Sequence, residues 1–317
     1  MSILVVGSIA LDTIKTPFGQ AAEVLGGSAT YFSYAASFFA PVRLVAAVGA
    51  DFPRKHFDLL KSRNISLDGL QKDTGKTFRW SGSYEADMNS AKTLATELNV
   101  LQDFRAIVPP QYVSTPHVFL ANIGPGTQIE LLDAMQKPRL VGCDTMNLWI
   151  ATQPELLNRL LKRVDVFLLN ESEARQLTGI TNLIKAAYDL LKRGPKVVVI
   201  KKGEHGAILA TNDFCFVAPA YPVQDVFDPT GAGDCFAGGF FASLVTTGRY
   251  FDETALRRSV IFGTVMASFN VESFSLDRLS RLTNQEILDR YAKFKQFTHF
   301  EPADHSATFS PGLLTKS

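Results

Sequence analysis

No stretch of this chain leaves fewer structural options than residues 228–240, Asp-Pro-Thr-Gly-Ala-Gly-Asp-Cys-Phe-Ala-Gly-Gly-Phe. Asp228-Pro229 sets an extended turn, because proline fixes its own φ and disfavours helix in the residue before it. The small, apolar run from Ala237 to Val245 then reads as a buried helix that ends near Gly248. Gly231, Ala232 and Gly233 therefore fall at the N-terminus of that helix. There the first N–H groups lack helical partners and the dipole favours negative charge, so small side chains make an anion cradle. Asp234 is the residue out of place. A carboxylate in an anion cradle repels the ligand that the cradle attracts, unless its task is to accept a proton. The plain alternative is a first-turn acid that complements the helix dipole, with glycines kept for close packing.

The whole run decides between these readings. It resembles the second signature of the ribokinase-like (PfkB) carbohydrate kinases, a family whose pattern is Asp-Pro/Thr-x-Gly-Ala-Gly-Asp followed by small residues. The resemblance implies that Asp234 is the general base for a substrate hydroxyl. It also implies that the Gly231, Ala232 and Gly233 backbone holds charge on the transferred phosphoryl group.

Bulk properties agree with an enzyme of small metabolites. At 317 residues, 46% hydrophobic and 20% charged, the chain has ample material for one large α/β domain. A formal net charge of +1 gives no reason to expect nucleic acid or an anionic membrane as partner. Cys143, Cys215 and Cys235 are far apart and in apolar contexts, as buried free thiols are. The chain opens on the apolar run Ile3–Val6 without a basic leader, and no apolar run reaches membrane-spanning length, so a cytoplasmic location is expected.

Ile3–Val6 reads as a strand buried on both faces, and Gly7-Ser8-Ile9-Ala10-Leu11-Asp12 puts a carboxylate beyond its end. A lone Asp in a loop is usually a turn former; the family resemblance makes Asp12 a ligand of substrate hydroxyls. Gly26-Gly27-Ser28 opens an apolar helix over about 29–39 and is similar to the first family signature, close to the substrate. Tyr31 stands where many members carry an Asn that reads sugar hydroxyls. Residues near 13–25 and 75–100 fit the two pieces of a small β-sheet lid, in which Phe78, Trp80 and Tyr84 look exposed. Lids of this family pair between subunits, which implies a homodimer. Thr74-Gly75-Lys76-Thr77 ends like a P-loop, but Gly69 is one residue too distant and a strand follows, not a helix.

From Val118 onward apolar strands alternate with helices, the pattern of a parallel sheet covered on both faces. Asn122, Asp144, Asn147, Asn170, Lys201 and Lys202 lie at the ends of these strands and suggest a cleft, with Asn122 a candidate substrate ligand. Asn170-Glu171-Ser172-Glu173 resembles the family's Asn-x-x-Glu motif, which implies that Glu173 handles Mg2+ through water. The same four residues also make a good capping box. Lys201-Lys202-Gly203-Glu204-His205-Gly206 matches the turn that packs against the nucleotide, so Asn170, Lys201, Gly203 and Gly206 are candidate nucleotide contacts. Lysines replace the usual Thr-Leu there. The helix near 254–269 is expected to line the adenine pocket.

The resemblance covers nearly the whole chain. It implies a three-layer α/β/α sandwich with a mostly parallel sheet over residues 1–300 and a flexible tail over 301–317. The implied reaction moves the γ-phosphoryl group of Mg2+–ATP to a primary hydroxyl of a sugar or sugar-like molecule, with K+ as an optional further cofactor. A nucleoside is the alternative acceptor, and a ligand-binding regulator without catalysis a more distant one. A dinucleotide-dependent oxidoreductase is excluded, since no Gly-x-Gly-x-x-Gly follows the first strand.

Overall fold

The computed structural model describes residues 1–89 and 91–301; the tail expected beyond residue 301 lies outside the described residues. The first half contains β1 (Ile3–Val6), β2 (Ala10–Thr16), β3 (Gly19–Gly26), α1 (Ser28–Ala36), β4 (Val42–Val48), α2 (Arg54–Lys61), β5 (Ile65–Lys72), β6 (Arg79–Tyr84) and β7 (Ala91–Glu97). The middle holds β8 (His117–Leu120), α3 (Pro125–Ala134), β9 (Leu140–Asp144), α4 (Asn147–Thr152), α5 (Pro154–Leu161), β10 (Val166–Asn170), α6 (Glu171–Thr178) and α7 (Leu183–Leu191). The chain continues through β11 (Val197–Lys201), β12 (Ala207–Ala210), β13 (Cys215–Ala218), α8 (Ala232–Thr247), α9 (Glu253–Asn270), α10 (Asp277–Ser280) and α11 (Asn284–Thr298).

Nine strands form one sheet in the order β13-β12-β11-β10-β9-β8-β1-β4-β5. All neighbours are parallel except β12, which runs antiparallel to β11 and β13. Alternation along each strand feeds two cores. Ile3 and Val5 of β1 join α1, α8 and α9 on one face, while Leu4 and Val6 join α3, α5 and α7 on the other. This is the expected three-layer arrangement. Among the described residues no helix is long and apolar enough to cross a membrane.

The remaining strands make a second sheet in the order β3-β2-β6-β7. It is a mixed sheet, because β2 and β6 pair in parallel while the outer pairs are antiparallel. Phe78, Trp80 and Tyr84 are half-buried there, not exposed as their sequence suggested. Trp80 folds over Gly82 and donates its ring N–H to Thr93 Oγ1 at 3.2 Å. Helix α1 stops at Ala36, short of 39, because the N–H groups of Phe39 and Ala40 turn back onto the Ala36 carbonyl ahead of Pro41. Strand β5 lacks an apolar run and was not foreseen; as an edge strand it needs only one covered face.

Candidate active site

The chain leaves β1 toward β4 and β5, then returns to β8 on the other side of β1. Where strand order reverses in this way, diverging loops leave a crevice at the carboxyl ends of the strands. Three of those loops are stitched together here. The Ser28 N–H donates to Ser8 Oγ at 3.0 Å, the Ser8 N–H donates to Ser28 Oγ at 3.2 Å, and Ser28 Oγ donates to the Asn122 carbonyl at 2.9 Å. Asp12, 3% exposed, reaches into this corner from β2. Its carboxylate occupies the space a side chain at Gly26 would need, and Gly27 caps α1 beside it. Burial, then the charge of Asp228, pushes Asp12 up to about 8; Asp234 adds to the rise and the Gly27 N–H opposes it.

Helix α8 aims its N-terminus at the same crevice. Gly231, its N-cap, has φ 76° and faces the Tyr31 ring with no room for a Cβ, so only glycine fits. The turn before it is tied down on each side. Asp228 accepts from the Thr230 N–H at 2.9 Å, and the Asn270 amide donates to the Thr230 carbonyl at 2.8 Å. The Ala232 N–H bonds back to Pro229 and the Cys235 N–H to Gly231. Between them, among the described residues, the N–H groups of Gly233 and Asp234 have no carbonyl partner, as the geometry of a helix start requires, and that of Asp234 turns onto its own carboxylate.

Asp234 sits at the third position of α8, partly open to the crevice. Burial first, then the charges of Asp144 and Glu173, raises it to about 8, against the pull of Lys201. Lys201, at the end of β11, pairs with Asp144 at the end of β9 across 2.5 Å, and its Nζ lies close beside Gly233. Burial alone would lower this lysine, but Asp144, Glu173 and Asp234 outweigh it, and the ammonium stays protonated well into alkaline pH. Glu173 is pushed up to about 7, chiefly by burial and then by Asp144. The capping box is present: Asn170 Oδ1 accepts from the Glu173 N–H at 2.8 Å, and Glu173 Oε2 from the Asn170 N–H at 2.7 Å. One oxygen of Glu173 is left over for other work.

The four-stranded sheet covers the crevice. Thr230 Oγ1 donates to the Tyr84 hydroxyl at 3.1 Å, and the Asn89 amide donates to Glu204 at 2.9 Å. Beneath it the Tyr31 hydroxyl is buried and, among the described residues, has no partner. At the rim, Trp149 donates its ring N–H to Asn122 Oδ1 at 2.9 Å and leaves an aromatic face partly open.

Asp12, Gly26, Gly27 and Asn122 thus form one cluster, and Gly231, Ala232, Gly233, Asp234, Lys201, Asn170 and Glu173 a second, linked through the charge that Asp234 exerts on Asp12. Gly203 and Gly206 stand apart. Gly203 faces Asn89 and Gly206 packs on the end of β13. Asp144 was visible only as one of several polar strand ends. Its signal was Lys201, an apolar strand's final residue that needs a counter-charge once buried.

Residues 2–281 match the pfkB family of carbohydrate kinases. The chain belongs to that family. As a pfkB kinase it is a phosphotransferase that acts on a sugar or nucleoside hydroxyl, and ATP with Mg2+ is the family's donor. A cytidine kinase from Thermococcus kodakarensis is 32% identical over 260 residues, 80% of this chain and 91% of that protein. A nucleoside kinase from Methanocaldococcus jannaschii is 23% identical over 73% of each chain. The crystal structure of the Methanocaldococcus jannaschii enzyme superposes with a TM-score of 0.75 at 21% identity, covering 92% of this chain and 98% of that one. Burkholderia thailandensis nucleoside kinase in complex with inosine gives 0.72 at 21% identity, over 95% and 100%. At such identities the structures speak for the pfkB fold alone.

Proposed function

We propose that this pfkB kinase is a nucleoside kinase that transfers the γ-phosphoryl group of ATP to the primary 5′-hydroxyl of its acceptor. The observation that carries the mechanism is Asp234, a carboxylate beside the Gly233 N–H, which has no main-chain partner among the described residues, and the Lys201 ammonium at one helix start. Asp12 accepts the ribose hydroxyls, and Gly26 and Gly27 let the sugar ring come close to the backbone. Asp234 takes the proton of the attacking hydroxyl. The Gly233 N–H, with Lys201, stabilises negative charge on the moving phosphoryl group. Asn170, Gly203 and Gly206 line the donor side.

Bound Mg2+ would neutralise phosphate charge, held through water by Glu173 with Asp144 nearby. Among the described residues no three acidic, His or Cys side chains are grouped to hold a metal directly, which suits an ion that keeps much of its own water. No step in this reading needs K+. The four-stranded sheet acts as a lid, and its exposed edge β7, with Leu94 58% exposed, is the face offered to a second subunit. A cytoplasmic enzyme is the natural setting for a reaction that draws on ATP.

Two features favour a nucleoside over a free sugar: the open face of Trp149 beside Asn122 suits stacking on a base, and the cytidine kinase relative matches over most of both chains. ADP release measured with cytidine, inosine, adenosine, ribose and fructose tests the reading. Turnover on a nucleoside, cut by about two to four orders of magnitude in Asp234→Asn, is the expected result. Preference for a free sugar would overturn the acceptor, and an active Asp234→Asn enzyme would overturn the mechanism.

A further inference from the structure

At the opposite, N-terminal edge of the nine-stranded sheet lies an open surface cavity of about 460 Å3, lined by the exposed Ser114, Gln136, Lys137 and Arg139, the half-buried Tyr250 and the buried His117 among others. This is the size range of small-molecule sites, roughly 300–1,000 Å3. His117 begins β8 and is 2% exposed. Its Nδ1 lies 3.1 Å from the Ser2 carbonyl, which can only accept, so Nδ1 carries the proton in the neutral ring. Nε2, 2.7 Å from the Tyr250 hydroxyl, then accepts the phenol hydrogen.

The charge around this pair is one-sided. Lys137 and Arg139 both line the cavity, no carboxylate lines it, and among the described residues neither cation takes part in an ion pair. Arg139 offers a planar fork of donors and Lys137 a point charge, a combination suited to tetrahedral oxyanions. Gln136 and Ser114 add neutral donors. The volume exceeds what a bare phosphate needs. We propose that this cavity is a second anion site, built for the phosphate monoester of a small metabolite and separate from the crevice that holds Asp234.

The His117–Tyr250 pair ties such a ligand to a proton. While the ring is neutral, Tyr250 turns an oxygen lone pair toward the cavity. Once Nε2 is protonated it donates to Tyr250, and the phenol hydrogen is freed for the anion. The groups that face His117 are the Ser2 carbonyl, the Tyr250 phenol, the Arg139 guanidinium and the Met1 amino group. Burial, then those two cations, hold the ring below its ordinary value, with the Ser2 carbonyl opposing. A bound dianion reverses the balance.

The test follows His117 by imidazole 1H–15N spectra of the full chain, titrated with glycerol 3-phosphate, with inorganic phosphate, and with sodium chloride at matched ionic strength. The expected result is a saturable shift of the His117 signals with glycerol 3-phosphate, and a rise of its titration midpoint by about one pH unit. Binding of inorganic phosphate as well would show that the phosphate group itself is gripped. The double variant Lys137→Ala/Arg139→Ala should weaken binding at least about tenfold while kcat/KM of the kinase reaction stays unchanged. Phosphate lodged only at the Gly233 amides would leave His117 unmoved. That outcome, a shift matched by sodium chloride, or equal binding by the double variant would overturn the proposal.

Discussion

Every residue of β1, β8, β9 and β12 in the nine-stranded sheet is buried, whereas every residue of β7 in the four-stranded sheet is exposed. The large sheet is held by apolar contact along both faces. In the small sheet Leu11 of β2 and Leu25 of β3 join the main core, and the outer strands are fastened to the body by a few polar and aromatic points. Arg79 pairs with Asp51 at 2.8 Å, Phe18 meets Phe227 at 5.1 Å, Tyr84 meets Thr230, and Asn89 meets Glu204. Apolar area sets the free energy of separation, so the large sheet carries global stability while the outer strands β6 and β7 of the small one can open at modest cost. Half of the crevice, including Asp234, Lys201 and Glu173, rests on the rigid part. Asp12, on the buried part of β2 beside Leu11, is held with it.

The strongest break in this contrast is Phe119→Ala. Its ring stacks on Phe32 at 4.1 Å and meets Phe241 at 5.2 Å, so truncation should cost about 3–5 kcal/mol in denaturant unfolding. Leu94→Ala on β7 should stay within about 0.5 kcal/mol. Equal costs would show that the two sheets form one cooperative unit.

A second difference concerns pH. Asp234 is raised to about 8 from the usual carboxylate range, so the folded state binds more protons than the unfolded one between about pH 4 and 8. Its contribution to stability is therefore full at acid pH and is lost as pH rises through 8. Asp234→Asn should unfold at higher temperature than the wild type at pH 8, by at least about 1 kcal/mol, and show little difference at pH 4. Activity runs the opposite way: kcat/KM should climb with pH to about 8 as the base loses its proton. A flat profile over that range would detach Asp234 from proton removal.

Smaller effects are expected at the fastenings. Tyr84→Phe removes the acceptor of the Thr230 hydroxyl, worth about 0.5–1.5 kcal/mol, and should raise the acceptor KM about three- to tenfold without moving Tm. Asn89→Ala loses only an exposed hydrogen bond to Glu204. It should change KM by less than about twofold, with a measurable rise in ATP hydrolysis without acceptor as its sign.

Legibility followed the same division. Continuous apolar runs such as Ile3–Val6 and Val197–Ile200 announced the large sheet, because strands buried on both faces tolerate no other pattern. Edge strands β5 and β13 escaped notice, since one covered face leaves a mixed composition. In the crevice, Gly231 to Asp234 stood out because the backbone itself does the work and demands small residues in sequence. Asn270 and Trp149 did not, Asp144 showed only as a polar strand end and Tyr84 only as a lid aromatic, because their importance comes from partners 40, 27, 57 and 146 residues away. Only the fold supplies those neighbours.

Gly231 and Tyr31 carry a consequence for ancestry. The glycine has no Cβ because the tyrosine ring fills that space, and the tyrosine lies flat because the glycine leaves it room. The constraint runs one way: residue 31 can shrink beside a glycine, as the Asn of other members does, but while Tyr31 stays residue 231 must remain glycine. Gly231 is thus the fixed member of the pair and residue 31 the one left free to vary, so specificity at residue 31 can change without rebuilding the start of α8.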